Sequence, residues 1–349
     1  MKLLFNIVKL AFGLLSLVNV NGFVNLNKLE PFQKRVSIMY HNPLPPTEPI
    51  KPIDPLKNKI NGLLDLIRPK SIFPTLLLNL SGGWIMNPSF NNLLHSTPFI
   101  VSAVNTILVL MSSMVINDIY DYNIDKINNP SRPIASGEVK IYEAVLLNFL
   151  LVGSAEYLSM RFLPENLQLI IHFAIINVTL YTPVFKRLPF IKNILCAFLV
   201  SFTVFFSGLA SVSGPMTQHK NFGFLAIALS LVFYGSLSNE ILLDIRDYEG
   251  DKKHNIVTIP VLFGKDVAWI CAKVIANLNI MSNTLSLYYL SDFNGGAFLA
   301  LICSPLTFNL FKLKGDGYTR ENIEKVVNDT NIPLFFTLLY FCLLSAQGA

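Results

Sequence analysis

Asp118, Asp121 and Asp125 follow an apolar run at i, i+3 and i+7, so they share one face if a helix continues through them. Three carboxylates on one stripe repel each other unless a cation sits between them. An all-oxygen donor set of this hardness suits Mg2+ or Ca2+ far better than zinc. The pattern recurs at Asp244, Asp247 and Asp251, with Glu240 one turn earlier. Two such stripes would make two facing ports around one polyanion, and a diphosphate is the obvious candidate. Mg2+ bridging the six aspartates would hold its oxygens, and Arg132, Lys186, Arg187 and Arg246 could neutralise the remaining charge. An allylic diphosphate gripped this way is primed to ionise. The leaving group is stabilised as its charge develops, an apolar pocket keeps water off the carbocation, and a second substrate captures it.

The elements that must position these residues are written in the composition. Of 349 residues, 52% are apolar and 14% charged, against roughly a quarter charged in a soluble domain. The chain reads as an integral membrane protein, all-α, with lipid around it and no nucleic acid as partner. Cys196, Cys271, Cys303 and Cys342 lie inside apolar runs without CxxC or Cys/His spacing, which excludes a disulfide framework and a zinc site. Nothing in the pattern fixes an oligomeric state.

Residues 1–22 carry Lys2, Lys9 and a short apolar core from Leu10 to Val18, the form of a signal peptide rather than a span. Phe23 at the junction, followed by a basic stretch, resembles the presequences of algae with secondary plastids, and so raises a plastid membrane as one location. Residues 23–57 end in a proline-rich linker, and the folded part is expected over 58–349. Nine apolar segments follow, near 71–86, 99–117, 144–160, 167–185, 191–212, 222–243, 267–290, 295–311 and 331–346. Read as nine spans, they put Arg68, Lys126, Arg132, Lys186, Arg187, Lys192, Arg246, Lys265 and Lys312 among the loop cations of one side, against Arg161 and Lys220 on the other. This is the positive-inside pattern, and it places both aspartate stripes on the basic side. A charged segment from Tyr318 to Asp329 is expected as an interfacial helix over the site. His172 and Asn177 within the fourth segment, and His254 after the second stripe, are weaker candidates for substrate contact or a base.

Asn117-Asp118-x-x-Asp121-x-x-x-Asp125, followed by Arg132-Pro133 and Ser136-Gly137, resembles the first signature of the UbiA superfamily of intramembrane prenyltransferases. Asp244-x-x-Asp247-x-x-Gly250-Asp251, followed by Thr258 and Pro260, resembles the second. Arg68-Pro69, and Tyr181-Thr182-Pro183-Val184-Phe185-Lys186-Arg187 with Asn193, agree with it. The resemblance spans about residues 60–346. It implies nine helices around a central cavity, Mg2+ dependence, and transfer of a polyprenyl group from its diphosphate to a small-molecule or lipid acceptor. It also implies that Asn117, Arg68, Tyr181 and Asn193 join the substrate-binding set. Asn255 stands where the family usually has glycine, in a turn asparagine tolerates. Glu240 is similar to the form of the second motif in digeranylgeranylglyceryl phosphate synthases, whereas the first motif is shared with chlorophyll synthases and homogentisate prenyltransferases. A transporter is the rival reading, because intramembrane carboxylates also mark ion pathways. Clustering at one face rather than the midplane speaks against it. A non-catalytic member of the family would lack aspartates, and none of the six is missing.

Overall fold

The computed structural model describes residues 57–182, 185–188, 190–253, 256–291 and 293–347. The expectations for residues 1–56, and those for His254 and Asn255, lie outside them. Among the described residues every regular element is helical, as a chain needs when lipid offers its backbone no hydrogen bonds. Six helices among the described residues are long and apolar enough to cross a membrane: Thr97–Tyr120, Ile141–Phe162, Ile191–Ala210, Phe222–Arg246, Asn294–Asp316 and Arg320–Gln347. The last of these joins two helices, Arg320–Asp329 and Asn331–Gln347. The remaining expected segments are also helical but fall short as spans. Ile72–Met86 has 15 residues and Glu165–Tyr181 has 17, while Lys265–Leu290 is diluted by Lys273, Asn277, Asn279 and Asn283.

Large apolar side chains face outward as well as inward, with Phe149, Leu169 and Phe308 among the most exposed. A bundle whose outside is this apolar cannot be held together by water exclusion, so close packing and interhelical polar bonds take over. Ser112 Oγ donates to Asn148 Oδ1 at 2.7 Å, Ser238 Oγ to the Ala272 carbonyl at 3.0 Å, and Asn279 Nδ2 to the Leu231 carbonyl at 3.1 Å. Asn221 Nδ2 ties the start of Phe222–Arg246 to the Ile85 carbonyl at 2.9 Å. The Ile72–Met86 and Ile191–Ala210 helices touch at Gly82, where a Cβ would lie 2.2 Å from the Val204 carbonyl oxygen and 2.3 Å from Ser207 Oγ. Gly82→Ala therefore has to push two backbones apart. We expect it to destabilise the fold by about 2 kcal/mol, read as a lower melting temperature of the detergent-solubilised protein.

Neither aspartate stripe lies on one uninterrupted helix, which corrects the expectation of a single continuous stripe. The first helix stops at Tyr120, with Asp121 at φ −83°, ψ 1°, and a new helix runs Tyr122–Asn128. The second stops at Arg246, with Asp247 at φ −91°, ψ 6°, before Tyr248–Lys253. Both breaks fall on the middle aspartate, in the bridge region between helix and strand. Main-chain bonds still cross each of them, from Asp121 N to the Asn117 carbonyl at 2.9 Å and from Asp247 N to the Leu243 carbonyl at 3.0 Å. The outer aspartates of each stripe thus sit on different helices.

Candidate active site

Each acidic break is rimmed by cations brought from other parts of the chain. At the first, Asp118 is 2% exposed and its Oδ1 accepts from Arg68 Nη2 at 2.6 Å and from Arg132 Nη1 at 3.0 Å. The same Arg132 nitrogen donates to Asp125 Oδ2 at 2.8 Å, so one guanidinium spans the break. Asn129 Nδ2 donates to the other Asp125 oxygen at 3.3 Å. Lys186 Nζ pairs with Asp121 and donates to Asn117 Oδ1 at 2.9 Å. Arg68 holds a left-handed backbone at φ 50°, a strained conformation for a residue with a Cβ, and it sits where the guanidinium reaches Asp118.

At the second break, Asp244 accepts from Asn193 Nδ2 at 2.9 Å and pairs with Lys192 Nζ at 2.6 Å. Asp247 is held by its neighbour Arg246, whose Nε and Nη2 donate to the two carboxylate oxygens at 2.9 and 2.8 Å. Arg246 Nη1 also lies 3.6 Å from Glu324, which places the Arg320–Asp329 helix at this end of the bundle, with Ile323 and Val326 buried beneath it. Cys196 Sγ donates to Tyr181 Oη at 2.9 Å, and Glu240 lies close enough to both for its charge to act on them. The Asp251 Oδ2 atom is buried with no hydrogen-bond partner among the described residues.

Lys186 bears on both breaks, by contact with Asp121 at the first and through the influence of its charge on Asp251 at the second. Burial pushes the Asp251 carboxyl up to about 6, opposed by Lys192 and, more weakly, Lys186. Burial likewise raises Asp125, opposed by Arg132 and Asn129.

Among the described residues no three acidic, His or Cys side chains close into an ion cage by themselves. What is present is two open half-sites of hard oxygen donors, one with an unpartnered buried carboxylate oxygen. That donor set fits Mg2+, which binds through one or two carboxylates together with substrate phosphates rather than in an all-protein cage. A proton on Asp251 competes with any cation there. Mn2+ binding, measured by titration of the purified protein, is therefore expected to weaken by about tenfold per pH unit below pH 6, and to be nearly flat above pH 7.

An apolar cavity of about 1070 Å³ lies among the Ile72–Met86, Phe222–Arg246 and Asn331–Gln347 helices, lined by Leu78, Leu231, Gly235, Phe335 and Leu338. It reaches Asn239, directly before Glu240, and none of the six aspartates lines it. A room this size, greasy along its length and polar at one corner, suits a long hydrocarbon.

Of the residues expected from the sequence, Asn117, Asp118, Asp121, Asp125, Arg68, Arg132 and Lys186 are brought together directly by hydrogen bonds and ion pairs. Asn193, Glu240, Asp244, Arg246, Asp247, Asp251 and Tyr181 gather around the second break. The Arg187 side chain lies outside what is described. His172 and Asn177 are not part of the site. His172 pairs with Glu156 at 2.8 Å, and Asn177 bonds the Phe173 carbonyl one turn back in its own helix. Sequence reasoning missed Lys192, taking it only as one more loop cation. Its signal is its place beside Asn193, in the first turn of an apolar helix.

A model described as the UbiA prenyltransferase family matches residues 73–339. A digeranylgeranylglyceryl phosphate synthase of Methanosphaera stadtmanae is 30% identical over 252 residues, covering 71% of this chain and 88% of that protein. One of the same name from Methanococcus aeolicus is 29% identical over 259 residues, covering 73% and 87%. Among solved structures, a UbiA homolog from Archaeoglobus fulgidus bound to DMAPP and Mg2+ superposes with a TM-score of 0.61 at 19% identity, covering 82% of this chain and 99% of that one. A digeranylgeranylglyceryl phosphate synthase structure gives 0.62 at 23% identity, covering 83% and 99%.

Proposed function

This chain belongs to the UbiA prenyltransferase family, and from that premise we propose that it moves a long prenyl group, of geranylgeranyl class, from its diphosphate to a glyceryl phosphate lipid. It is an integral membrane enzyme that transfers prenyl groups. The single observation that carries the donor is the pair of acidic breaks, each rimmed by bases, with Lys186 paired to the first and its charge felt at Asp251 of the second. The acceptor class is supported by the names of the similar archaeal proteins and by Glu240. The nine-span reading supports the same site. With Ile141–Phe162, Ile191–Ala210 and Phe222–Arg246 crossing the bilayer, the two breaks lie on one side when the shorter Glu165–Tyr181 crosses as well, through a locally thinned bilayer.

In this reading the prenyl tail occupies the apolar cavity and the diphosphate lies between the two breaks. Arg68, Arg132, Lys186 and Arg246, now paired with carboxylates, turn part of their hydrogen bonding toward its oxygens. Asp118, Asp121, Asp125, Asp244, Asp247 and Asp251 would hold Mg2+, which when bound supplies Lewis-acid stabilisation of the leaving diphosphate. The allylic C–O bond breaks and its electron pair departs with the diphosphate. The acceptor oxygen then forms the new bond to that carbon and gives up its proton to the released diphosphate. The cavity's apolar walls keep water from capturing the cation first.

The test is incubation of the purified protein with Mg2+, radiolabelled geranylgeranyl diphosphate and, in separate reactions, geranylgeranylglyceryl phosphate, homogentisate, chlorophyllide or dihydroxynaphthoate. Labelled lipid and equimolar diphosphate are expected with the glyceryl phosphate. Product with another acceptor moves the assignment to that acceptor, and recovery of intact donor in every reaction removes the transferase reading.

A further inference from the structure

Among the described cations paired with these aspartates, Lys192 is the most enclosed. Its side chain is 14% exposed, against 28% for Lys186, 27% for Arg132 and 23% for Arg246. Its ammonium lies 2.6 Å from Asp244 Oδ1, while Asp244 Oδ2 accepts from Asn193 at 2.9 Å. Both oxygens of that aspartate are thus engaged by protein groups. The same ammonium is within electrostatic reach of Asp251 and Glu240. The backbone is bent to put it there. Phe190, which caps the Ile191–Ala210 helix two residues earlier, sits at φ 66°, a left-handed value strained for a side chain of its size. Taking an ammonium out of water is costly, and it persists here because carboxylates surround it that would otherwise call for a metal.

Resting on the prenyltransferase reading, we propose that Lys192 is a permanent monovalent cation of the second acidic wall, standing on Asp244 in place of a divalent ion and presenting its remaining N–H bonds to the diphosphate. This takes Asp244 out of the six-aspartate metal set. The metal at this wall is then held by Asp251, whose buried Oδ2 has no partner among the described residues, and by the more exposed Asp247 once Arg246, which now engages both its oxygens, turns toward the diphosphate. Part of the diphosphate binding at this wall becomes independent of metal, because the lysine cannot dissociate.

The experiment counts Mn2+ bound to the full-length protein by electron paramagnetic resonance, with a non-hydrolysable geranylgeranyl bisphosphonate present at saturation. Wild type, Lys192→Met and Lys192→Arg are compared. Lys192→Met is expected to bind one more Mn2+ per chain than wild type, and Lys192→Arg the same number as wild type. Without metal, affinity for the bisphosphonate should fall about tenfold in Lys192→Met, the loss of one charge-assisted hydrogen bond. Equal Mn2+ counts in wild type and Lys192→Met, with bisphosphonate bound, overturn this proposal and leave the transferase reading standing. A wild type that binds neither Mn2+ nor bisphosphonate overturns both. If Lys192→Met does not fold, the double variant Lys192→Met/Asp244→Asn removes the buried pair as a unit. The same tenfold metal-free loss there supports the proposal, and unchanged affinity overturns it.

Discussion

Asp118→Asn is expected to lower prenyl transfer by about 10²–10³-fold and to raise the Mg2+ concentration needed for half-maximal rate. Asp118 is 2% exposed and accepts from two guanidinium groups, Arg68 at 2.6 Å and Arg132 at 3.0 Å. Asparagine keeps its shape but offers those groups a neutral amide and offers a metal ion no charge. The arginines then turn toward each other's field with nothing between them, and the diphosphate loses both its metal and its ordered clamp. Asp247→Asn should lose activity as well, with a smaller effect on the melting temperature. Its side chain is 43% exposed and its cation is the adjacent Arg246. Steady-state rates across a Mg2+ titration decide the matter, and a wild-type rate in Asp118→Asn contradicts the assignment.

Arg132→Met is expected to damage stability as well as rate. One nitrogen of Arg132 serves Asp118 and Asp125 together, at 3.0 and 2.8 Å, and both carboxylates are buried. Removing one partner of a buried ion pair leaves charge without compensation, a cost of about 3 kcal/mol when the rest of the pair cannot reach water. Asp118 keeps Arg68, so the loss falls mainly on Asp125, whose carboxyl burial already pushes above the ordinary range. An acid with a folded pKa above its unfolded one favours the folded state as pH falls, so the deficit in Arg132→Met should shrink on acidification. Adding Asp125→Asn should recover part of the melting temperature without restoring transfer. Thermal unfolding in detergent at two pH values reads all of this, and an Arg132→Met curve that overlays wild type contradicts the bridging role.

The acidic clusters were legible because charge is rare in this chain and apolar runs lead directly into both. Spacing alone brought out Asp118, Asp121 and Asp125 as a set, and their repeat at Asp244, Asp247 and Asp251 turned a local oddity into a site. The break at each middle aspartate was not legible. It is a backbone angle near ψ 0°, and the same i, i+3, i+7 pattern fits an unbroken helix equally well. Partner choice was hidden for a different reason. Arg68 reaches Asp118 across 50 positions and Lys186 reaches Asp121 across 65, and no local pattern carries such a contact. Lys192 was obscured by the abundance of basic residues on its side of the membrane, where another loop lysine looks like an anchor. The short Ile72–Met86 and Glu165–Tyr181 helices show the converse. Apolar composition marked them as spans, whereas their lengths of 15 and 17 residues fall below the roughly 20 residues an untilted crossing requires.

The most direct measurement is the position of Mn2+ by anomalous scattering in crystals of the protein grown with Mn2+ and a non-hydrolysable geranylgeranyl bisphosphonate. The two phosphonates are expected between the breaks, with Mn2+ peaks at coordination distance from carboxylates of the 118–125 wall and of the 244–251 wall. Phosphonates bound to one wall alone, or Mn2+ peaks that leave both sets of aspartates untouched, would contradict a shared diphosphate site.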